Sequence, residues 1–206
     1  MFKSVLLRGF AVFVTAMIIA SGALSAETPA TGPAADELSD NAPLITKLKP
    51  EKADGRGYRL VYTVDAPLAV TWNFKTDFAS QILLSNQLIS SHRLVSRDGN
   101  EVVTETVYSN KPKRVFRWKT TLFPEQHLLK FVLLNPEACG QKYHYGTIQL
   151  QAEGSATRVS QVAYLDFFGV SLWVNYPLSG GMSHFLNDTA RWEQQAVLKY
   201  WHPNQE

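Results

Sequence analysis

The stretch that decides the fold is the last long one, Gly181-Met-Ser-His-Phe-Leu-Asn-Asp-Thr-Ala-Arg-Trp-Glu-Gln-Gln-Ala-Val-Leu-Lys-Tyr-Trp201. Apolar and small residues recur in it at helical spacing, with Phe185, Thr189, Trp192 and Ala196 along the middle of one face. A glycine pair precedes the stretch and a proline follows it, so the pattern predicts a single amphipathic helix. A helix of about twenty residues is about 30 Å long. It therefore needs a large apolar surface to lie on.

Strand patterns before this helix supply that surface. Six segments alternate apolar and polar residues with a period of two, and turn residues separate them. A seventh, Tyr58 to Asp65, comes earlier, and two short helical pieces follow it up to about Asn86. The connections are short, so the sequence predicts an antiparallel meander in an α+β domain. The six segments are Leu88–Arg97, Glu101–Ser109, Arg114–Leu122, His127–Leu134, Lys142–Gln151 and Thr157–Leu165.

This element order is that of the helix-grip fold, and a short motif agrees with it. Val64-Asp-Ala-Pro67, then Val70, Trp72 and Thr76-Asp77-Phe78, resemble the strand-to-helix entry of the START-like superfamily. That superfamily, also called SRPBCC, includes birch-pollen-allergen relatives, polyketide cyclases and coenzyme-Q-binding proteins. Thr71 lies between Val70 and Trp72, whereas the valine and the tryptophan are usually adjacent in the superfamily. The resemblance covers about Gly57 to Trp201. It implies a curved antiparallel sheet of about seven strands around the C-terminal helix, with a cavity between them for an apolar ligand.

The N-terminal segment has the pattern of a secretory signal peptide. Two basic residues precede an uncharged stretch that ends in small residues, and we expect cleavage after Ser25 or Ala26. The alternative is an uncleaved membrane anchor. The sequence thus predicts a signal peptide at 1–26, a flexible linker at 27–56 with a candidate edge strand at Pro43–Leu48, and a START-like ligand-binding domain at 57–206. The protein would then be exported, either periplasmic or secreted.

Charge and cysteine content exclude some classes of function. Of the 20 Lys and Arg, two (Lys3 and Arg8) lie in the predicted signal peptide, which leaves 18 against 18 Asp and Glu. A balanced charge argues against a nucleic acid as the partner. The single cysteine, Cys139, excludes an intramolecular disulfide, so stability must come from a core. No motif in the sequence calls for a cofactor.

Aromatic residues in the strands and the last helix are the candidates for a ligand site. Tyr and Trp combine an apolar body with a polar tip, which suits a pocket for an amphiphile. The alternative is that they simply fill the core. Arg117 is the candidate anchor for a carboxylate or phosphate head group. The predicted ligand-binding residues are Tyr62, Tyr108, Arg117, Phe131, Tyr143, Tyr145, Trp173, Tyr176, Phe185 and Trp192.

The connection Asp166–Pro177 is unusually apolar and contains two of these candidates, Trp173 and Tyr176. It could form a gate at the cavity mouth or a patch that touches the membrane transiently while ligand is loaded. The alternative is a short helix packed on the edge of the domain.

Signals for catalysis are weak. No histidine pair has the spacing of a zinc-binding helix, and no nucleophile elbow or phosphate loop is present in the sequence. We therefore assign no catalytic residue and no metal ligand. His144 and His184 could each face a cavity, but the favoured expectation for both is a solvated or satisfied histidine. Two functions remain, and a domain for protein contact through the 167–177 segment is a less favoured third. The favoured one is an exported binding or carrier protein for a lipid, a sterol-like or a quinone-like molecule. The alternative is a small cyclase or aromatase that moves protons on an apolar substrate.

Overall fold

The computed structural model describes residues 42–50, 55–168 and 181–202. The predicted signal peptide, most of the predicted linker and the segment with Trp173 and Tyr176 lie outside these ranges. None of the helices in the described ranges is both long and apolar enough to span a membrane.

Eight strands form one antiparallel sheet, in the order β1-β2-β8-β7-β6-β5-β4-β3. Their bounds are β1 Leu44–Leu48, β2 Arg56–Val64, β3 Ile89–Asp98, β4 Glu101–Tyr108, β5 Val115–Phe123, β6 Leu128–Leu133, β7 Gln141–Glu153 and β8 Ala156–Phe167. The helices are α1 Leu68–Thr76 and α2 Gly181–Trp201, with 3₁₀ helices at Gln81–Ser85, Pro124–Gln126 and Glu137–Cys139.

This architecture confirms the predicted α+β helix-grip fold, a curved open sheet with a long C-terminal helix and two short helices. The sheet has eight strands instead of about seven because β1 adds to one edge. It pairs with β2 in the antiparallel register Leu44↔Val61 to Leu48↔Gly57. The long helix has the predicted bounds, since its periodicity extends without a break from Gly181 to Trp201.

The core lies where α2 packs against β2 and β8. Four side chains of α2 that are almost fully buried, Leu186, Ala190, Ala196 and Val197, belong to the same cluster as the inward residues of these strands. Burial of such apolar area stabilises a fold by about 25 cal/mol per Å². The cluster therefore holds the helix against one end of the sheet.

Helix α1 is attached to β8 by a buried hydroxyl relay. Thr71 Oγ1 lies 3.2 Å from Thr157 Oγ1, which in turn donates to the carbonyl oxygen of Ala66 at 2.8 Å. Thr71 and Thr157 are both 0% exposed. Thr71 is the residue that departs from the superfamily motif, and here it joins the helix to the sheet.

Candidate functional site

A pocket of about 360 Å³ lies between α2, α1 and the concave face of the sheet. Its walls are mostly aromatic and aliphatic, and we call it the central pocket. Ligand sites for small molecules are typically concave and apolar with a few polar groups, and about 300 to 1,000 Å³ in volume. The large apolar residues that line it include Phe74, Phe78, Phe116, Trp118, Leu129, Phe131, Ile148, Phe185, Leu186 and Trp192.

Four predicted ligand-binding residues line the central pocket: Tyr108, Phe131, Phe185 and Trp192. Tyr62 is 3% exposed and lies behind the wall, with its hydroxyl bonded to a pocket residue. The pocket thus brings together side chains from β4, β6 and α2. Whether these residues contact a ligand stays a prediction.

Arg117 does not line the pocket. Its Nε donates to Glu105 Oε1 at 2.9 Å, and Arg93 Nε donates to the other carboxylate oxygen at 2.8 Å. The two guanidinium groups, Arg117 first, lower the pKa of the Glu105 carboxyl. The Arg117 side chain is half exposed. A head-group anchor would have to point into the pocket, and Arg117 does not, because the odd-numbered residues of β5 face away from the concave side. Glu105, the partner of Arg117, lies on that outer face too.

Tyr143 and Tyr145 do not line the pocket either. They stack with Tyr164 in an aromatic row, with ring centroids 5.7 Å and 5.6 Å apart. Residues alternate between the two faces of a strand. In β7 the pocket side belongs to His144 and Ile148, so the two tyrosines lie on the outer face.

A buried charged cluster forms one wall of the pocket. Lys75 Nζ of α1 lies 2.5 Å from Glu193 Oε2 of α2, and the Tyr62 hydroxyl donates to Glu193 Oε1 at 2.5 Å. The Lys75 and Glu193 side chains are 10% and 6% exposed. Burial, followed by the Glu193 charge, raises the pKa of Tyr62 well above its ordinary value. Each charge is compensated within the cluster, as buried ions must be.

The sequence contains a signal for this cluster that residue spacing alone reveals. Glu193 lies three residues after Ala190 and four before Val197, in the middle of the buried face of α2. A carboxylate at such a position needs a partner. Nothing local identifies that partner, because Lys75 is 118 residues away in the chain.

The pocket lining also contains two uncharged polar side chains with unpaired atoms. Gln141 Oε1 and His144 Nδ1 are buried atoms without a hydrogen-bond partner among the described residues. Burial lowers the pKa of His144 to about 4, so its ring is neutral at pH 7. The ring lies edge-on to Trp118, with centroids 4.9 Å apart. Of the two alternatives for His144, the structure therefore supports the one in which the ring faces the cavity.

Two other histidines, His92 and His184, are satisfied or exposed. His92 lines the pocket, but its Nδ1 lies 2.9 Å from Thr106 Oγ1 and its Nε2 lies 3.1 Å from the carbonyl oxygen of Phe78. Burial lowers the pKa of His92 as well. His184 is exposed on the outer side of α2, where Nε2 lies 3.3 Å from Asp188 Oδ2. His144 thus differs from both.

Metal and thiol chemistry find no support in this pocket. In the described ranges, no group of three or more His, Cys, Asp or Glu side chains could hold a metal ion. Cys139 lines the pocket, but burial raises the pKa of its thiol to about 11. A protonated thiol is a poor nucleophile.

Comparison with known proteins bears on the fold alone. No family model matches the chain, and no curated protein is a significant match to its sequence. Solved structures do match. TTHA0849 from Thermus thermophilus is 16% identical, with a TM-score of 0.59 over 69% of this chain and 97% of that one.

Two enzymes have a similar structure. Norcoclaurine synthase from Thalictrum flavum, in complex with dopamine and hydroxybenzaldehyde, is 13% identical, with a TM-score of 0.52 over 77% of this chain and 89% of that chain. The Zhui aromatase/cyclase from Streptomyces sp. R1128 is also 13% identical, with a TM-score of 0.50 over 70% of this chain and 85% of that chain. Together with the eight-stranded sheet and the long helix, these likenesses show that the chain has the helix-grip fold.

Proposed function

We propose that this protein binds a hydrophobic small molecule in the central pocket and acts as its carrier. The observation that carries the proposal is the pocket itself, about 360 Å³ of space bounded largely by aromatic and aliphatic side chains. A close-packed core would leave no such space. Transfer of apolar ligand surface into it would contribute about 25 cal/mol per Å². Candidates are lipids and sterol-like or quinone-like molecules.

Export is a second part of the proposal, and it rests on the N-terminal sequence. The basic start, the uncharged stretch and the small residues around Ser25 and Ala26 support a cleaved signal peptide. The carrier would then work in the periplasm or outside the cell. The apolar connection that includes Trp173 and Tyr176 would touch a membrane during loading, as a hydrophobic exposed patch can.

Native mass spectrometry of the full chain, produced in a host that can export it, tests both parts. We expect a chain that begins at Ala26 or Glu27, together with a stoichiometric apolar molecule that organic extraction releases. A chain that keeps residues 1–26 would contradict export. A ligand-free protein that also takes up no lipid, sterol or quinone when these are added would contradict the carrier.

A matched pair of variants shows whether the molecule sits in the central pocket. Thr120→Trp places a large ring in the pocket wall, whereas Thr121→Trp places the same ring one residue along β5, outside the pocket lining. We expect only Thr120→Trp to abolish co-purification of the ligand. Equal ligand content in both folded variants would place the ligand elsewhere.

One observation favours a second function, proton-transfer catalysis. The Lys75–Glu193 pair borders the pocket, and positioned ionisable groups of this kind can transfer protons. Norcoclaurine synthase and the Zhui aromatase/cyclase show that the fold can accommodate enzymes. The two functions differ in one result: a carrier returns the extracted molecule unchanged after prolonged incubation, whereas an enzyme converts it. Loss of conversion in Glu193→Gln would support the enzyme.

A further inference from the structure

We infer that Gln141 and His144 form the site for an uncharged hydroxyl group, which makes an apolar alcohol or phenol the ligand of the central pocket. The inference rests on the proposed binding function and specifies the chemistry of its ligand.

The first step is that both side chains carry a buried polar atom with no partner. Gln141 is 5% exposed, and its Oε1 bonds to no described residue, as is also true of His144 Nδ1. About nine in ten buried polar groups in proteins are hydrogen-bonded. Gln141 and His144 are three residues apart and both line one pocket. Their unpaired atoms therefore indicate hydrogen bonds that a ligand supplies.

The second step is that an irregularity in β7 places them on the same wall. In a regular strand, residues 141 and 144 would point to opposite faces. The pairing of β7 with β8 shifts between Gln141↔Phe167 and Tyr143↔Asp166, and beyond the shift His144 pairs with Leu165. Both Gln141 and His144 therefore line the pocket. Bulges that redirect a side chain in this way are common beside functional sites.

The third step is the chemistry of the two atoms. An amide oxygen accepts hydrogen bonds, and a neutral imidazole nitrogen donates or accepts according to its tautomer. A hydroxyl both donates and accepts, so it can satisfy the two atoms together. A hydroxyl also fits if the amide group is rotated to present its nitrogen. An alkane satisfies neither atom.

The fourth step concerns charge. A carboxylate would lose its hydration beside Trp118 and Phe131, whose ring centroids lie 4.9 Å and 6.1 Å from that of His144. Lys75 is already paired with Glu193. Lys111 also lines the pocket and is the competing anchor for an acid. The charge state of the ligand therefore distinguishes a hydroxyl site at Gln141 and His144 from an acid site at Lys111.

Three ligands of one shape test the inference by calorimetry on the full chain: 2-naphthol, naphthalene and 2-naphthoate. We expect 2-naphthol to bind about tenfold more tightly than naphthalene, as one or two net hydrogen bonds imply. Equal affinity of naphthol and naphthalene would overturn the hydroxyl site and leave the binding function intact. Tightest binding of naphthoate would overturn it in favour of Lys111. Failure of all three to bind, together with failure to bind lipids, would overturn both proposals.

The double variant Gln141→Leu/His144→Phe supplies the second measurement. Replacing both polar groups by apolar ones of similar size removes unpaired atoms without leaving a new one. We expect the naphthol preference to disappear, the naphthalene affinity to stay within about threefold, and Tm to remain equal or rise. The control variant Gln151→Leu makes the same Gln-to-Leu change at an exposed position of β7. It should leave the preference for naphthol over naphthalene unchanged. A double variant that folds and keeps the preference would contradict the inference.

Discussion

At the scale of single residues, His144 links the pocket to pH. Its pKa is about 4 in the folded protein because of burial, against an ordinary 6.5. Between these values the unfolded chain binds a proton that the folded protein does not. The free energy of unfolding therefore falls as pH decreases through this window, and it is unaffected by this group well above pH 6.5.

Urea unfolding at pH 7 and pH 5 measures this effect. We expect His144 to make the free energy of unfolding about 2 kcal/mol lower at pH 5 than at pH 7. The variant His144→Phe should lose that part of the pH dependence. His92, whose pKa burial also lowers, remains in the variant and gives a residual slope of the same sign. An unchanged slope in His144→Phe would show that the ring is not neutral when buried.

At the scale of elements, one ion pair fastens α1 to α2 across the pocket wall. Glu193→Leu leaves the Lys75 ammonium buried without its partner, which costs about 3 to 5 kcal/mol. We expect the triple variant Lys75→Met/Glu193→Leu/Tyr62→Phe to recover most of this loss, since apolar groups replace the whole cluster. Denaturant titration of the single, double and triple variants gives the coupling energy. Additive losses would contradict a coupled cluster.

The β6–β7–β8 part of the sheet has no room for a side chain at Gly146. A Cβ there would overlap the carbonyl oxygen of Val162 and the ring of Phe131. We expect Gly146→Ala to destabilise the protein by about 1 to 3 kcal/mol, as overpacking does. Thr147→Ala, on the other face of the same strand, is the control and should cost less in the same urea titration. A Gly146→Ala variant as stable as the wild type would show that the strands can separate at this point.

At the scale of the whole molecule, the periodic parts of the fold were predictable and the irregular parts were not. The bounds of α2 agree with its apolar repeat, and the strands of the meander lie within about two residues of their patterns because turns separate them clearly. The candidate edge strand at Pro43–Leu48 is present as β1, although the composition of the segment before it is that of a linker. Only its pairing with β2 adds it to the sheet.

The site was less predictable for two physical reasons. A strand has a period of two, so choosing the wrong inward face for β7 exchanges every side chain: the regular alternation from Tyr143 onward places His144 and Ile148 in the pocket and the two tyrosines outside. The register shift before Tyr143 brings Gln141 to the pocket as well. Contacts between distant residues, such as Lys75 with Glu193, leave no local pattern. Tyr108, Phe131, Phe185 and Trp192 were found because large aromatic residues on an inward face need no distant partner.

The position of β2 in the sheet has a consequence for the order in which the chain folds during synthesis. β3 to β7 each pair with the next strand to emerge, so the meander can form while the chain is still being made. β2 pairs with β8, from Arg56↔Leu165 to Val64↔Thr157, about a hundred residues later. Pairing of such distant segments is slow compared with local pairing. The chain must therefore be made through β8 and α2 before the pocket has all its walls, and a chain that stops earlier has no place for the ligand.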